Sequence, residues 1–317
     1  MLNKSRAKRL ADYIVDGQES RDAFLPTSIF LATERDIPFK SSNNTIEIDT
    51  SELSFNVVDG QHRIKGLEEA AERDDRVSDF EVPVNIAVRL PRLHQMAHFL
   101  IVNTTQKGVE EGIAQRIRSN FSRAADTSDL PTLPRWINRL VNKGDDDKGL
   151  QIVDYLYTKQ PWRDRIVMAN DESPRNKPIT QKSFVTLLKK HYFVRNNTVA
   201  TYEIDRQCRI SESYWRAIAN VIGTEDSVLF KYTGVQLFLM FCPWFFLTMS
   251  NKYDRNPYET EKMQRELQKC FDEAMGEATG VGHADFWRKG GKASGLNSGA
   301  VGKVCTALVN ALHGSLE

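Results

Sequence analysis

The sequence predicts an α+β fold, with an α/β domain over residues 1–125 followed by a mostly α-helical domain with a basic face over 126–317. Three observations predict it. Short runs with strand period alternate with helical patterns as far as about Ser122. The composition then changes, with Pro131 and Pro134 flanking Leu133 ahead of a short helix and an acidic stretch from Lys143 to Gly149 that reads as a solvated turn. Finally, Thr233 to Ser250 carries no charge and is close to the lower length limit for a membrane span, but Pro243 interrupts it and Thr233, Gln236 and Thr248 dilute it. It reads as a buried core helix and the spine of the second domain, so no membrane contact is expected.

The elements of the first domain follow in order. Ser5 to Ile14 is helical and leads through Phe24-Leu25-Pro26 into a strand at Ser28–Ala32. A weak strand is expected over Thr45–Ile48. Leu53, Phe55 and Val57 alternate with other residues, the period of a half-buried strand, and beyond them Ile64, Leu67 and Ala71 recur at helical spacing. Val82–Val88 is a further strand. After Pro91, Leu93, Met96, Ala97 and Leu100 fall at i, i+3, i+4 and i+7 of a helix. His94 and His98 lie four apart on it, but no third ligand is in view, so a structural or solvent-facing role is expected. A last helix, Val109 to Ile117, places Glu110 and Glu111 in its first turn, where acidic side chains suit the helix dipole.

The five residues Asp59-Gly60-Gln61-His62-Arg63 stand where a strand gives way to a helix. The first N–H groups of a helix have no intrahelical acceptors and carry the positive end of its dipole, so such a junction favours an anion. Gly60 lets backbone approach a ligand closely, Arg63 offers a planar fork suited to phosphate, Asp59 could cap the helix or face a magnesium ion, and His62 titrates near neutrality. The plainer alternative is a strand-to-helix turn in which Asp59 caps and Arg63 pairs with an acidic neighbour such as Glu68.

The pentapeptide, with the surrounding order of elements, resembles the DGQHR-domain proteins, whose best-known members are DndB, of DNA phosphorothioation, and DpdB, of 7-deazaguanine DNA modification. These are relatives of the ParB/sulfiredoxin superfamily. The resemblance covers roughly the first 120 residues, and Val102-Asn103-Thr104-Thr105-Gln106-Lys107 looks like the second ParB box. The chain departs from the ParB pattern in having Gln61 ahead of His62-Arg63 and an extra Thr in the second box. The resemblance implies a ParB/sulfiredoxin-like fold and a nucleotide site for ATP with Mg2+. Asp59, Gln61, His62 and Arg63 would be catalytic, with Asp59 also on the metal. Gly60, Asn103, Thr104, Thr105, Gln106 and Lys107 would bind the cofactor.

The formal charge of +1 means that a nucleic-acid contact must come from a local patch. The basic region is Lys159 to Arg195, where Arg163, Arg165, Arg175, Lys177, Lys182, Lys189 and Lys190 are the candidate DNA-binding residues. Trp162, Phe184, Tyr192 and Phe193 are interleaved and could stack on bases, and Thr180 reads as the N-cap of a helix running to about Tyr192. Near the C-terminus, Phe286 to Gly299 combines glycine, hydroxyls and basic residues without the order of a Walker A loop, and reads as a mobile surface loop before a helix over Ala300–Leu312. Cys208, Cys242, Cys270 and Cys305 are far apart, which argues against sulfur-ligated metal and fits a reducing cytoplasm.

Two functions follow. One is a nucleotide-binding and hydrolysing component of a DNA-modification or restriction system, with DNA and a base-modifying enzyme as partners and self-association possible. The other is a DNA-binding regulator of such a gene cluster, without catalysis.

Overall fold

The computed structural model describes residues 4–20, 22–25, 27–49, 51–106, 110–124, 133–169, 171, 179–225, 227–274, 280–288 and 290–314. The chain is 64% helical with a small mixed sheet, in agreement with the expected α+β class and its mostly helical C-terminal part. Residues 1–110 with 124–134 form one compact unit, and 111–123 with 135–317 form a second. The sequence alone placed one cut near residue 125; the contacts put the helix over 111–123 with the second unit instead.

In the first unit, helix α1 (Lys4–Ser20) precedes strand β1 (Ile29–Ala32), a hairpin of β2 (Phe39–Lys40) and β3 (Thr45–Ile46), and strand β4 (Asn56–Asp59). Helix α2 (Gln61–Ala71), strand β5 (Val84–Ala87) and helix α3 (Arg92–Gln106) follow. The sheet order is β4-β1-β5, antiparallel between β1 and β4 and parallel between β1 and β5. A register irregularity between Phe30 and Leu31 sets Phe30 opposite Asp59 and Leu31 opposite Val57. In β4 the buried residue is Val58, while Leu53, Phe55 and Val57 are half-buried. Ser54 and Asn56 between them are exposed, so the expected half-buried alternation holds up to Val57, while the strand itself begins at Asn56 and covers Val58 on its other face.

Helix α2 packs on α1 through its smallest residues. Gly66 and Ala70 are its buried positions, and a Cβ on Gly66 would come within 2.9 Å of Leu10 Cδ2 and 3.0 Å of the Ala7 carbonyl oxygen. Ile64, Leu67 and Ala71, expected to form the inner face, flank that contact and are half-buried. Ala11, Ile14, Leu25, Ala70 and Val77 make a modest core here, and Arg73 closes its rim by pairing with Asp12 at 2.6 Å.

The second unit contains α4 (Glu111–Arg123), α5 (Arg135–Lys143), α6 (Asp145–Tyr157), the short parallel pair β6 (Ile166–Val167) and β7 (Ile179–Thr180), and α7 (Gln181–Leu187), which continues as a π-helical turn over Leu188–Tyr192. Then come α8 (Ile204–Ile222), α9 (Tyr232–Lys252), α10 (Thr260–Glu273), α11 (Ala284–Trp287) and α12 (Ser298–Gly314). Helix α9 is long and apolar enough to cross a membrane by length and composition, yet 72% of its apolar window is buried inside the unit, as expected of a core spine. Around it, Trp162 meets Trp215 and Phe230 edge to face, Trp215 meets Phe184 in the same way, and Tyr214 packs against Phe245 and Phe246.

Two expectations for this unit are corrected. The acidic stretch is no solvated turn: Asp145, Asp146 and Asp147 form the first turn of α6, where the dipole favours them, and Asp146 is only 3% exposed. Its carboxylate accepts from Arg118 Nε and from Lys189 Nζ, each at 2.6 Å, while Arg118 also pairs with Glu111. The segment over 286–299 is likewise anchored in its first part. Phe286 and Trp287 are buried, Trp287 Nε1 donates to the Val281 carbonyl at 2.9 Å, and a Cβ on Gly291 would lie 2.1 Å from the Asp285 carbonyl oxygen.

Candidate nucleotide site

Gly60 is the N-cap of α2 and holds φ at 105°, a backbone state that side chains other than glycine rarely adopt. The space is also closed to a side chain, since a Cβ there would lie 3.2 Å from Ile29 Cγ2 and 3.3 Å from Arg63 Nη2. The glycine therefore lets β4 turn sharply into α2 against the start of β1. Arg63 fastens that turn. Its Nη2 donates to Asp59 Oδ2 at 2.8 Å and to the Ser28 carbonyl at 3.0 Å, and its Nη1 donates to Thr27 Oγ1 at 2.7 Å.

Two expectations change with this geometry. Asp59 does not cap α2, because no side chain makes the cap bond and its carboxylate turns instead to Arg63, one helical turn on. Glu68 pairs with Lys65 at 3.1 Å, so the acidic partner of Arg63 is Asp59 and not Glu68. Three of the five guanidinium N–H donors are thus used on the protein, and Arg63 acts foremost as a bracket.

Gln61 and His62 are half-buried beside this bracket. Gln61 Nε2 donates to the Val57 carbonyl at 3.2 Å, which orients the amide and leaves its oxygen as an acceptor. The His62 imidazole is held below its ordinary pKa by burial first and by the Arg6 charge second, with Asp59 opposing. It is therefore neutral at pH 7 and sits in a locally positive field. Arg6, on α1, was not legible as part of the site because it lies 56 positions away in sequence.

The second expected wall is α3. Gln95 near its start accepts from Asn56 Nδ2 at 2.9 Å, at the beginning of β4, and His98 packs edge-on against Phe30 at 6.1 Å, opposite Asp59 in the ladder. These two contacts fix the direction of the helix. It runs beside β4 in the same sense, so the part after His98 extends towards the Asp59-Gly60 end, with Asn103 about 7.5 Å further along the axis at 1.5 Å per residue. Asn103 itself donates to the Phe99 carbonyl at 2.8 Å, within its own helix. The backbone of Thr104, Thr105 and Gln106 closes α3, whereas their side chains, like Lys107 as a whole, lie outside the described residues. Among the described residues, no three His, Cys, Asp or Glu side chains come together to cage a metal.

In the second unit the basic segment is less of a surface than its composition suggests. Trp162, Phe184 and Tyr192 are buried in the core, so the expected base-stacking by them is corrected: they alternate with lysines because that is how an amphipathic helix and its flanking turn read in sequence. Lys189 is paired with Asp146, and Arg165 lies over the Phe230 ring at 4.3 Å. Arg163, Lys182 and Lys190 remain exposed, and Arg175 and Lys177 lie outside the described residues. Thr180 does cap α7, accepting from the Ser183 N–H at 3.2 Å.

Sequence reasoning missed Thr27, Ser28 and the Asn56–Gln95 contact, all long-range partners that no local spacing announces. The four cysteines are buried, and burial raises their thiol pKa values, to about 11 for Cys208 and Cys305 and about 12 for Cys270. They are protonated and inert at neutral pH.

No curated protein and no solved structure matches this chain. A family model does: residues 1–117 match DndB, described as DNA-sulfur modification-associated, a span that contains the Asp59–Arg63 turn, β4 and α3. The match covers residues 1–117 of 317, so the N-terminal part of the chain is similar to the DndB family, which is associated with DNA sulfur modification.

Proposed function

We propose that the N-terminal unit is a nucleoside-triphosphate-binding and hydrolysing module serving a DNA-modification system, with ATP and Mg2+ as its ligands. The observation that carries this reading is the convergence just described: α3 runs beside β4 towards the same end of the sheet at which Gly60 turns the chain into α2. One end of the sheet then offers a helix N-terminus, a neutral imidazole, an oriented amide and an arginine. The box-like motifs also support the wider ParB/sulfiredoxin kinship. Sulfuration of the DNA backbone, or replacement of a base by 7-deazaguanine chemistry, would fall to a partner enzyme.

The division of labour follows from the contacts. The α2 N-terminus and the Arg63 and Arg6 charges favour the phosphates. Asp59 has one carboxylate oxygen on Arg63 and is 25% exposed, so it fits as a single carboxylate ligand of magnesium, an ion that keeps several waters and relies on substrate phosphates for the rest. When bound, magnesium supplies charge neutralisation on the phosphates. His62, neutral at pH 7, can take a proton from an attacking water that the Gln61 amide oxygen orients. Lys107, Thr104, Thr105, Gln106 and Asn103 are assigned to the second wall.

The test is phosphate release from Mg–ATP by the full chain, with and without DNA. Turnover that is lost in Asp59→Ala, with the far-UV spectrum intact, supports the module; absence of both binding and turnover for every nucleoside triphosphate overturns it. The exposure of Arg163, Lys182 and Lys190 favours a second reading, a DNA-binding regulator. Duplex binding that weakens steeply with salt and is indifferent to Asp59→Ala would select it.

A further inference from the structure

One groove of the second unit is lined by none of these residues. Between the C-terminal half of α9 and the end of α12 is a cavity of about 410 Å3 lined by Trp244, Leu247, Thr248, Asn251, Lys252 and His313. Five of the six fall at i, i+3, i+4, i+7 and i+8 of α9 and form one stripe. His313 comes from α12, which packs against α9.

The stripe contrasts with the rest of the spine helix. Phe238, Phe241, Phe245 and Phe246 are fully buried, whereas Trp244 is 42% and Leu247 39% exposed. Trp162, Trp215 and Trp287 are in the core, so an open indole is out of character for this unit. The Trp244 and His313 rings stand 6.5 Å apart at 81°. They make a corner, in which a flat ring stacked on the indole meets the imidazole at a steep angle.

The polar groups narrow the ligand class. Lys252 Nζ lies 2.6 Å from Glu266, a carboxylate that also receives Tyr253 and Lys269, so the cation at the rim is already neutralised and the groove is not built for phosphate. Asn251 offers an amide, donor and acceptor side by side, the pattern that reads the N6/N7 edge of adenine. It lies two turns from Trp244, about 10.5 Å along the axis at 1.5 Å per residue, a span that a bicyclic ring with one hydrogen bond can bridge.

We propose that this groove binds a purine base, adenine foremost, stacked on Trp244 and read by Asn251. The base is that of a free nucleoside or nucleotide, or one unpaired in a nucleic-acid strand. The proposal is independent of the triphosphate site in the first unit.

Adenosine, inosine, ribose and a short oligodeoxyadenylate are titrated against the full chain by calorimetry and tryptophan fluorescence. Adenosine lacks the phosphates on which the proposed site in the first unit rests, and the Trp244 and Asn251 variants assign any binding to the groove. Adenosine or the oligonucleotide is expected to bind and quench indole emission, with inosine about tenfold weaker and ribose silent. Trp244→Ala should weaken binding at least about tenfold, Trp244→Phe less, and Asn251→Ala should abolish the preference over inosine. Trp244 is on the surface, and a second variant, Leu247→Ser, checks the groove if Trp244→Ala is poorly folded. Binding of adenosine assigns the free base, and binding of the oligonucleotide alone assigns the strand. No binding of either, equal binding of ribose, or undiminished binding in folded Trp244→Ala and Leu247→Ser would overturn the proposal.

Discussion

The two units are held together by opposite means. The second is built on a spine helix wrapped in aromatic rings, with a buried ion pair between Arg118 and Asp146 pinning α4 to α6. The first rests on alanines and a glycine where α1 meets α2, and on polar brackets such as Arg63 around its turn. The contrast fits the proposed placement of the chemistry in the first unit. Residues that must meet a ligand need exposed polar groups and thin cover, which belong to the low-stability end of a protein. The second unit supplies bulk stability; the first supplies a turn whose shape depends on a few hydrogen bonds.

The largest effect should come from breaking the stronger unit. Asp146→Ala leaves Arg118 buried without its main partner, although Glu111 still reaches it, and should cost about 3–5 kcal/mol. Burial disfavours the Arg118 charge, and Asp146 and Glu111 outweigh it, so the group stays protonated and must be paired. Because all four cysteines lie in this unit and are buried, thiol labelling reports its opening alone. Labelling under native conditions should be slow in the unaltered chain and markedly faster in Asp146→Ala. Unchanged labelling would mean that the pair contributes nothing to holding the unit shut.

The converse experiment addresses the first unit. Gly66→Val puts atoms where Leu10 and the Ala7 carbonyl already sit and should cost about 1–3 kcal/mol by prising α1 from α2. Hydrogen exchange in α1 and α2 should accelerate while thiol labelling stays slow. If both rise together, the two units open as one and the contrast drawn above fails.

Much of this was legible in the sequence, for reasons that can be traced to particular residues. The uncharged run around Pro243 could only be a membrane span or a core helix, and its dilution by Gln236 and Thr248 favoured the core. Thr180 announced its helix because a cap is a local interaction within three residues. The junction at Asp59-Gly60 was legible as a turn for the same reason. What lay beyond local reach was partner choice. Nothing near Arg63 says that its fork closes on Thr27 and Ser28, 36 and 35 positions away. Nor does an acidic run say that Asp146 is buried, because the deciding cation, Arg118, lies on another helix. Aromatics between lysines gave the same pattern for a stacking surface and for an amphipathic helix, and only packing separates the two.

A smaller perturbation separates the two roles of Arg63. Arg63→Lys keeps the charge but loses the fork, and one ammonium cannot serve Asp59, Ser28 and Thr27 in the same geometry. Loss of those bonds should cost about 1–2 kcal/mol in the first unit. Faster exchange in α2 together with weaker Mg–ATP binding would show that the bracket shapes the site. Weaker binding with unchanged exchange would instead make Arg63 a phosphate ligand first and a bracket second.

The smallest expected effect is a pH dependence through His62. Its folded pKa lies below 6.5, so between that depressed value and 6.5 the unfolded chain takes up a proton that the folded chain refuses. The first unit should therefore lose stability as pH falls through this window and keep its full contribution above it. If the first unit binds a triphosphate as proposed, the ligand reverses the local field set by Arg6 and Arg63, raises the imidazole pKa and makes binding take up protons. Mg–ATP should accordingly bind more tightly at pH 6 than at pH 8, beyond the change shown by His62→Asn. Calorimetry in buffers of different ionisation enthalpy measures that uptake directly. If His62→Asn leaves the number of protons unchanged, the imidazole does not face the phosphates, and the anion-binding end of the sheet must be sought on the α3 side.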